Sequence, residues 1–318
     1  MFLKKNTVYD AIRKKEKYIA IQSKEMEDII HSRDMYRDEI AKFALDMGKL
    51  PSSKSVDKTV AGVDSAFSIS RRILSNFYVS LPVAVKISSL GSSRYDYTYA
   101  EYDIYYLDTV ISSISLSTEL IMAKELLNEC DYVFMDGSVS TFLITMISGI
   151  ETARKHSQES IVSKYALEIY EISKNFICDV IESGRVIFVP KMSQKRLLAG
   201  ALSAFEKYQI SDYILLRYLL DKGEYIKLKS PEYGKFIMDD IASFLNDAVN
   251  NNLSVYYVKG SDGYVFKFET FGELPKDIVR NFAFGKEFYL TLRADREAKE
   301  LISIILHQEN IYDEEVRL

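Results

Sequence analysis

Apolar residues recur along this chain at two different periods, and the alternation between them predicts a mixed α/β protein. Thr59 to Ile69, Phe77 to Ser88 and Tyr95 to Tyr106 are runs rich in β-branched and aromatic residues and read as three strands of a meander. Pro82 has no N–H to give a ladder, which places its part of the second run at an edge or a bulge. The third run alternates Tyr97, Tyr99, Glu101, Asp103 and Tyr105 in a way that suggests one wet face. A helix from about Val110 to Glu129 leads into a strand ending at Asp136, and a helical region from Gln158 to Glu182 leads into the strand Arg185 to Lys191. The order is β-β-β-α-β-α-β. Short helices over Lys195 to Tyr208 and Asp212 to Leu220 follow, then a hairpin of Ser254 to Val258 and Tyr264 to Glu269 turned by Gly260-Ser-Asp-Gly263. Helices over Lys276 to Phe284 and Ala294 to Gln308 close the chain. Ahead of all this, Asn6 to Met47 is dense in charge, and Ile12, Ile19, Met26 and Ile30 recur at helical spacing until Pro51-Ser-Ser breaks the pattern. That stretch reads as one long amphipathic helix or two shorter ones, with a narrow apolar stripe free to pack on the domain or on a second chain.

Composition changes this picture little. At 318 residues with 47% hydrophobic content, the chain can build one sizeable core. We expect a helical extension over residues 1–50 and one α/β domain over residues 51–318. Lys4 and Lys5 are followed by no apolar stretch, and no run approaches the ~20 residues needed to span a bilayer, so the expectation is a cytoplasmic protein with no membrane partner. The two cysteines, Cys130 and Cys178, are isolated, which indicates neither a disulfide framework nor a zinc site. His31, His156 and His307 have no metal-ligand spacing. A net charge of −5 neither supports nor excludes a nucleic-acid partner.

The chemistry lies in two acids set among apolar neighbours: Asp64 in Val60-Ala-Gly-Val-Asp-Ser-Ala-Phe67, and Asp136 in Tyr132-Val-Phe-Met-Asp-Gly-Ser138. A carboxylate stripped of water is costly without a compensating partner. Two such groups on adjacent strands repel, and a bound dication turns the repulsion into coordination. Oxygen ligands without histidine or thiolate suit magnesium or manganese. On the intervening helix, Leu116, Leu120, Ala123 and Leu127 define a buried stripe, and Glu119 falls on it while Glu125 and Glu129 lie toward the polar side. Glu119 therefore either joins a metal cluster or reaches out to water or a lysine. Three strands followed by alternating helix and strand, with an Asp inside the first strand and another ending the fourth, is a ribonuclease-H-like layout.

Short motifs in order sharpen this: Gly62-Val-Asp-Ser65, the inward Glu119, Phe134-Met-Asp-Gly-Ser138, Val189-Pro-Lys-Met-Ser193, Ser211-Asp-Tyr213 with Asp221-Lys-Gly223, and Tyr289 followed by Ala294-Asp295. Over about residues 61 to 298 the chain resembles the NurA nucleases, the archaeal and bacterial end-resecting enzymes that work with the HerA translocase. The resemblance implies that Asp64, Glu119 and Asp136 are metal ligands, that Asp295 completes the site, and that Lys191 and Tyr289 belong to it. It also implies manganese preference, 5′-to-3′ exonuclease action on single- and double-stranded DNA with single-strand endonuclease action, a homodimer, and a hexameric HerA-type partner; the carboxylate cluster is expected to hold two manganese (or magnesium) ions. Leu290 stands where that family has a proline after the tyrosine.

Blander readings stay open for several of these residues. Asp295 at a helix start is ordinarily explained by the helix dipole. Lys191 fits a solvated basic turn, Asp212 a helix start, and Tyr289 plain packing. Two other functions also fit the fold: a non-catalytic subunit regulating a translocase, and a transposase- or resolvase-type endonuclease.

Overall fold

The computed structural model describes residues 23–24, 26–52, 58–72, 74–89, 91–190, 198, 210–229, 253–284 and 290–316. In chain order the described elements are α1 (Arg33–Phe43), β1 (Asp46–Lys49), β2 (Val60–Arg71), β3 (Asn76–Ser88), β4 (Gly91–Asp96), β5 (Tyr99–Asp103), α2 (Asp108–Leu126), β6 (Tyr132–Asp136), α3 (Val139–His156) and α4 (Ile161–Ser183). They continue with β7 (Val186–Val189), α5 (Asp212–Leu219), β8 (Glu224–Lys229), β9 (Ser254–Lys259), β10 (Val265–Thr270), α6 (Lys276–Phe284) and α7 (Leu290–Val316). They fall into two compact units. The smaller draws on Met1–Leu50, Met192–Lys229 and Tyr257–Phe266, the larger on Pro51–Lys191, Ser230–Tyr256 and Lys267–Leu318, so β9 and β10 contribute residues to both.

In the larger unit the strands run β10-β7-β6-β2-β3-β4, with β5 on the same edge of β3 as β4. β2, β6 and β7 are parallel, and the remaining pairings are antiparallel. This mixed sheet flanked by helices is the ribonuclease-H-like arrangement that the strand order predicts. One face packs on α2, α3 and α4 through a core that includes Ala61, Val63, Leu120, Met135, Phe142 and Phe188. On the other face Phe134 stacks on Phe282 with ring centroids 4.8 Å apart. There too the start of α7 presses on Gly62, where a Cβ would lie 2.6 Å from the backbone carbon of Leu290. Only a residue without a side chain permits so close an approach of helix and strand.

Several elements differ from the sequence reading, each for a physical reason. Pro82 sits in an interior strand, in unbroken register opposite Ser65. On its other side β5 pairs with Asn76 to Ser80 and β4 with Val83 to Ser88, so the proline occupies the gap where one neighbour gives way to the next. Its carbonyl there accepts from the Tyr97 N–H at 3.2 Å, and no N–H is required of it. The single strand expected over Tyr95 to Tyr106 is accordingly split into β4 and β5. The helix α3 was not expected at all, although the Ser138 side chain caps it by accepting from the Thr141 N–H at 3.2 Å. Phe142, Leu143, Met146, Ile150 and Ala153 form its buried stripe.

In the smaller unit β1, expected to be helical, pairs antiparallel with β8, Asp46 opposite Lys227. Of the apolar stripe expected before it, Ile12 and Ile19 lie outside the described residues and Ile30 is 50% exposed. The buried residues are instead Ile29, Tyr36 and Ile40. Arg33 and Arg37 reach the carbonyls of Tyr218 and Leu219 at the end of α5, where cations suit the helix dipole, and pair with Asp221 and Glu224. Asp212 is the first residue of α5 and is buried, accepting from the Leu198 N–H at 2.9 Å and the Tyr257 hydroxyl at 3.2 Å. The helix expected over Lys195 to Tyr208 lies outside the described residues save Leu198.

Candidate active site

The parallel pairing of β2 with β6 covers Val60 to Val63 against Tyr132 to Met135, and there it stops. Asp64 and Asp136 are the next residues on each strand. They occupy matching positions on one face of the sheet, at the point where the strands part. Adjacent strands lie ~4.8 Å apart, and two ionised carboxylates at that separation repel by about 3.5 kcal/mol at an effective dielectric near 20. Asp64 is buried and Asp136 half-buried. After Asp136 the chain turns through Gly137, whose φ of 90° is the left-handed conformation glycine favours, into the Ser138 cap of α3. A strand end, a glycine turn and a capped helix thus hold Asp136 beside the positive end of a helix.

Glu119 comes from α2 on the opposite side of the sheet. Its helix is buried despite five hydroxyl residues between Ser112 and Thr118, because hydroxyls turn back onto the helix itself: Ser113 onto the Val110 carbonyl, Thr118 onto that of Ile114. Ser80 of β3 and Ser115 add a hydroxyl contact of 2.7 Å between sheet and helix. Glu119 is 3% exposed and accepts a hydrogen bond from the Ser65 hydroxyl. The N–H of the same serine donates to Asp64 Oδ1 at 2.8 Å, so Ser65 links two carboxylates on opposite faces of β2. By contrast Glu125 is exposed and accepts from the Tyr97 hydroxyl, and Glu129 pairs with Lys86.

Asp64, Glu119 and Asp136 line a single cavity of about 270 Å³, together with Ser65, Phe67, Ser112, Ser115, Leu116, Gly137, Thr141, Phe142 and Thr145. Among the described residues that line it there is no lysine, arginine or histidine. Hard oxygen donors without a basic residue suit magnesium or manganese in donor chemistry. Among the described residues no three acidic, histidine or cysteine side chains lie closely enough together to hold one ion; Asp64 and Glu119 are both engaged with Ser65.

The other expected site residues are placed differently. Lys191 and Tyr289 lie outside the described residues. Asp295 does not open the last helix, which begins at Leu290, and it does not line the cavity; Lys299 one turn later holds it at 2.8 Å. Leu290 lies against Gly62, and Glu309 lies 3.9 Å from Arg72, so α7 runs along β2 in the same direction. With rises of ~1.5 Å per helical residue and ~3.3 Å per strand residue, Asp295 is level with Asp64 on the same face.

Sequence reading passed over Ser65 as a link, and also a buried ion pair. Lys267 and Glu269 have side chains 4% and 0% exposed and are bonded to each other, and the second Glu269 oxygen accepts from the Val139 N–H at 2.7 Å. Glu269 thereby satisfies an orphan N–H at the start of α3, three residues beyond Asp136.

The larger unit is therefore a ribonuclease-H-like α/β fold with an acidic, oxygen-lined cavity where two parallel strands diverge. The chain belongs to the NurA domain family, which matches it over residues 58–304. No curated protein sequence matches it. In fold it is similar to the crystal structure of the NurA nuclease from Sulfolobus solfataricus, with a TM-score of 0.61 and 15% identity over 95% of this chain and 98% of that one. It is also similar to a crystal structure of NurA bound to dAMP and manganese, with a TM-score of 0.54 and 12% identity over 88% of this chain and 90% of that one. Among the described residues no helix is long and apolar enough to cross a membrane.

Proposed function

We propose that the protein is a divalent-metal-dependent deoxyribonuclease. The observation that carries this reading is the convergence of three carboxylates from three separate elements on one cavity, with Asp64 and Asp136 in register where their strands part. Asp64 and Asp136 would hold manganese or magnesium, Glu119 would bind directly or through water, and Asp295, level with Asp64, would complete the set. Two such ions, when bound, supply the Lewis acidity that makes water a competent nucleophile and stabilises charge on the departing oxygen. Hydrolysis forms a bond from water oxygen to phosphorus and breaks the bond from phosphorus to the 3′ oxygen, which takes up a proton. No side chain is needed as nucleophile.

The cavity walls set up this reaction before any ion arrives. Ser65 keeps Asp64 and Glu119 oriented, and the Gly137 turn holds Asp136 at the head of α3. By the same proposal Lys191 would contact the phosphate and Tyr289 would belong to the site. In its finer form the proposal is 5′-to-3′ exonuclease action on single and double strands, single-strand endonuclease action, a homodimer, and service to a HerA-type hexameric translocase in DNA end resection. Exposed Met35, Phe43 and Leu45 of the smaller unit support an assembly surface there.

The test is cleavage of end-labelled DNA by the full chain with manganese and with a chelator. Cleavage is expected only with the metal, and its loss is expected in Asp64→Asn, Asp136→Asn and Glu119→Gln while Glu125→Gln stays active. Equal activity in all five proteins would rule out the acidic cavity as the catalytic centre.

A further inference from the structure

Beyond Asp64, β2 keeps its pairing with β3 through Arg71 but has lost β6 from its other side. There β3 pairs with β5 on its far side, and among the described residues β2 is the edge strand of that three-stranded segment. Register with β3 is unbroken over all twelve pairs, so side chains alternate strictly, and Ser65, Phe67 and Arg71 share the face from which α2 supplies Glu119. Phe67 is 44% exposed in mid-strand, and it lines the acidic cavity opposite Ser112, Ser115 and Leu116. It lies ~10 Å along the strand from Asp64, and Arg71 lies ~13 Å farther on.

Arg71 is exposed, and its guanidinium sits 4.1 Å from the ring centroid of Tyr106, itself 49% exposed. Among the described residues Arg71 has no carboxylate partner, whereas its neighbour Arg72, on the opposite face, pairs with Glu309. A guanidinium held over a ring by its face still has N–H groups to offer, and their fork suits a phosphate. An aromatic ring open to a cavity suits the face of an unpaired base, and it binds without sequence preference because every base has such a face.

We propose that Phe67 and the Arg71–Tyr106 stack form a rail that leads a single DNA strand into the acidic cavity. Phe67 stacks on a base next to the phosphodiester to be cleaved, and Arg71 holds a phosphate farther along the strand. This rests on the nuclease reading for its substrate and assigns the residues that hold it. A base inside a duplex has both faces covered by its neighbours, so the rail favours unpaired strand over duplex.

The test is binding of fluorescein-labelled oligo(dT) by the full chain in chelator, read by anisotropy, with a blunt, fully paired hairpin as control. Phe67→Ala should bind oligo(dT) about tenfold more weakly, with little change for the hairpin, and Phe67→Tyr should restore binding. Arg71→Ala should make the slope of log K against log salt shallower by about 0.7. Both residues are exposed, so melting temperatures should match that of the unaltered protein. Oligo(dT) binding unchanged in both Ala variants, equal weakening for oligo(dT) and hairpin in Phe67→Ala, or no oligo(dT) binding by the unaltered protein would each overturn the rail. A protein that binds oligo(dT) through Phe67 yet fails to cleave DNA with manganese would overturn the nuclease reading and leave the rail standing.

Discussion

Lys267→Met should be among the most damaging single substitutions in the larger unit, although Lys267 does not line the cavity. Lys267 and Glu269 are buried together, and the second Glu269 oxygen holds the Val139 N–H at 2.7 Å. Removing the lysine leaves a carboxylate without its counter-charge where no water reaches, a change that costs about 3–5 kcal/mol. For a unit of this size each kcal/mol lowers the melting temperature by roughly 2–4 °C, so a fall of about 10 °C is expected. Glu269→Gln alone should do similar harm by stranding the lysine. The double variant Lys267→Met with Glu269→Gln removes both charges and keeps an oxygen for Val139, so it should recover most of the loss. A coupling of about 2 kcal/mol or more in the resulting cycle is expected. Thermal melting of the four proteins checks this. A Lys267→Met variant that loses less than ~1 kcal/mol, or a double variant worse than the sum of the singles, would show that the pair is solvated and does not anchor α3.

Gly62→Ala should destabilise the unit by about 1–3 kcal/mol, because the new Cβ would meet the backbone of Leu290 and Thr291 at 2.6 and 2.7 Å; a melting temperature equal to that of the unaltered protein would refute the contact. Burial pushes the Cys130 thiol up to about 11, so at pH 8 it should be alkylated far more slowly in the folded protein than in urea, as mass spectrometry would show. The Thr59 N–H, with Lys58 beside it, holds the Asp131 carboxyl below its ordinary range. Its contribution is therefore present above the unfolded pKa of about 3.9 and is lost as pH falls through the lower folded value, which NMR titration of the carboxyl should reveal as a depressed midpoint.

Sequence by itself determined most of the architecture and the chemical character of the site. Runs at period two and stripes at period 3.6 are local properties of a chain, so β2, β3, α2, β6 and β7 were legible from pattern alone, as were Asp64 and Asp136 as charges out of place in apolar runs. Glu119 was legible because one stripe of α2 carries it inward. Local pattern failed where long-range contacts reverse its usual meaning. Lys267 and Glu269 alternate with Phe266 and Phe268, and alternation of that kind ordinarily marks a solvated face, yet that face packs on the start of α3, and each charge tolerates burial only because the other is there. Pro82 reads as an edge because a ladder needs N–H groups, and it is interior because two different strands share that side of β3 and leave a gap at the proline. Nothing local told that the β2 and β6 pairing ends one residue before both aspartates, or that the start of α7 requires Gly62. Register and close packing are relations between segments far apart in the chain, and only the folded structure specifies them.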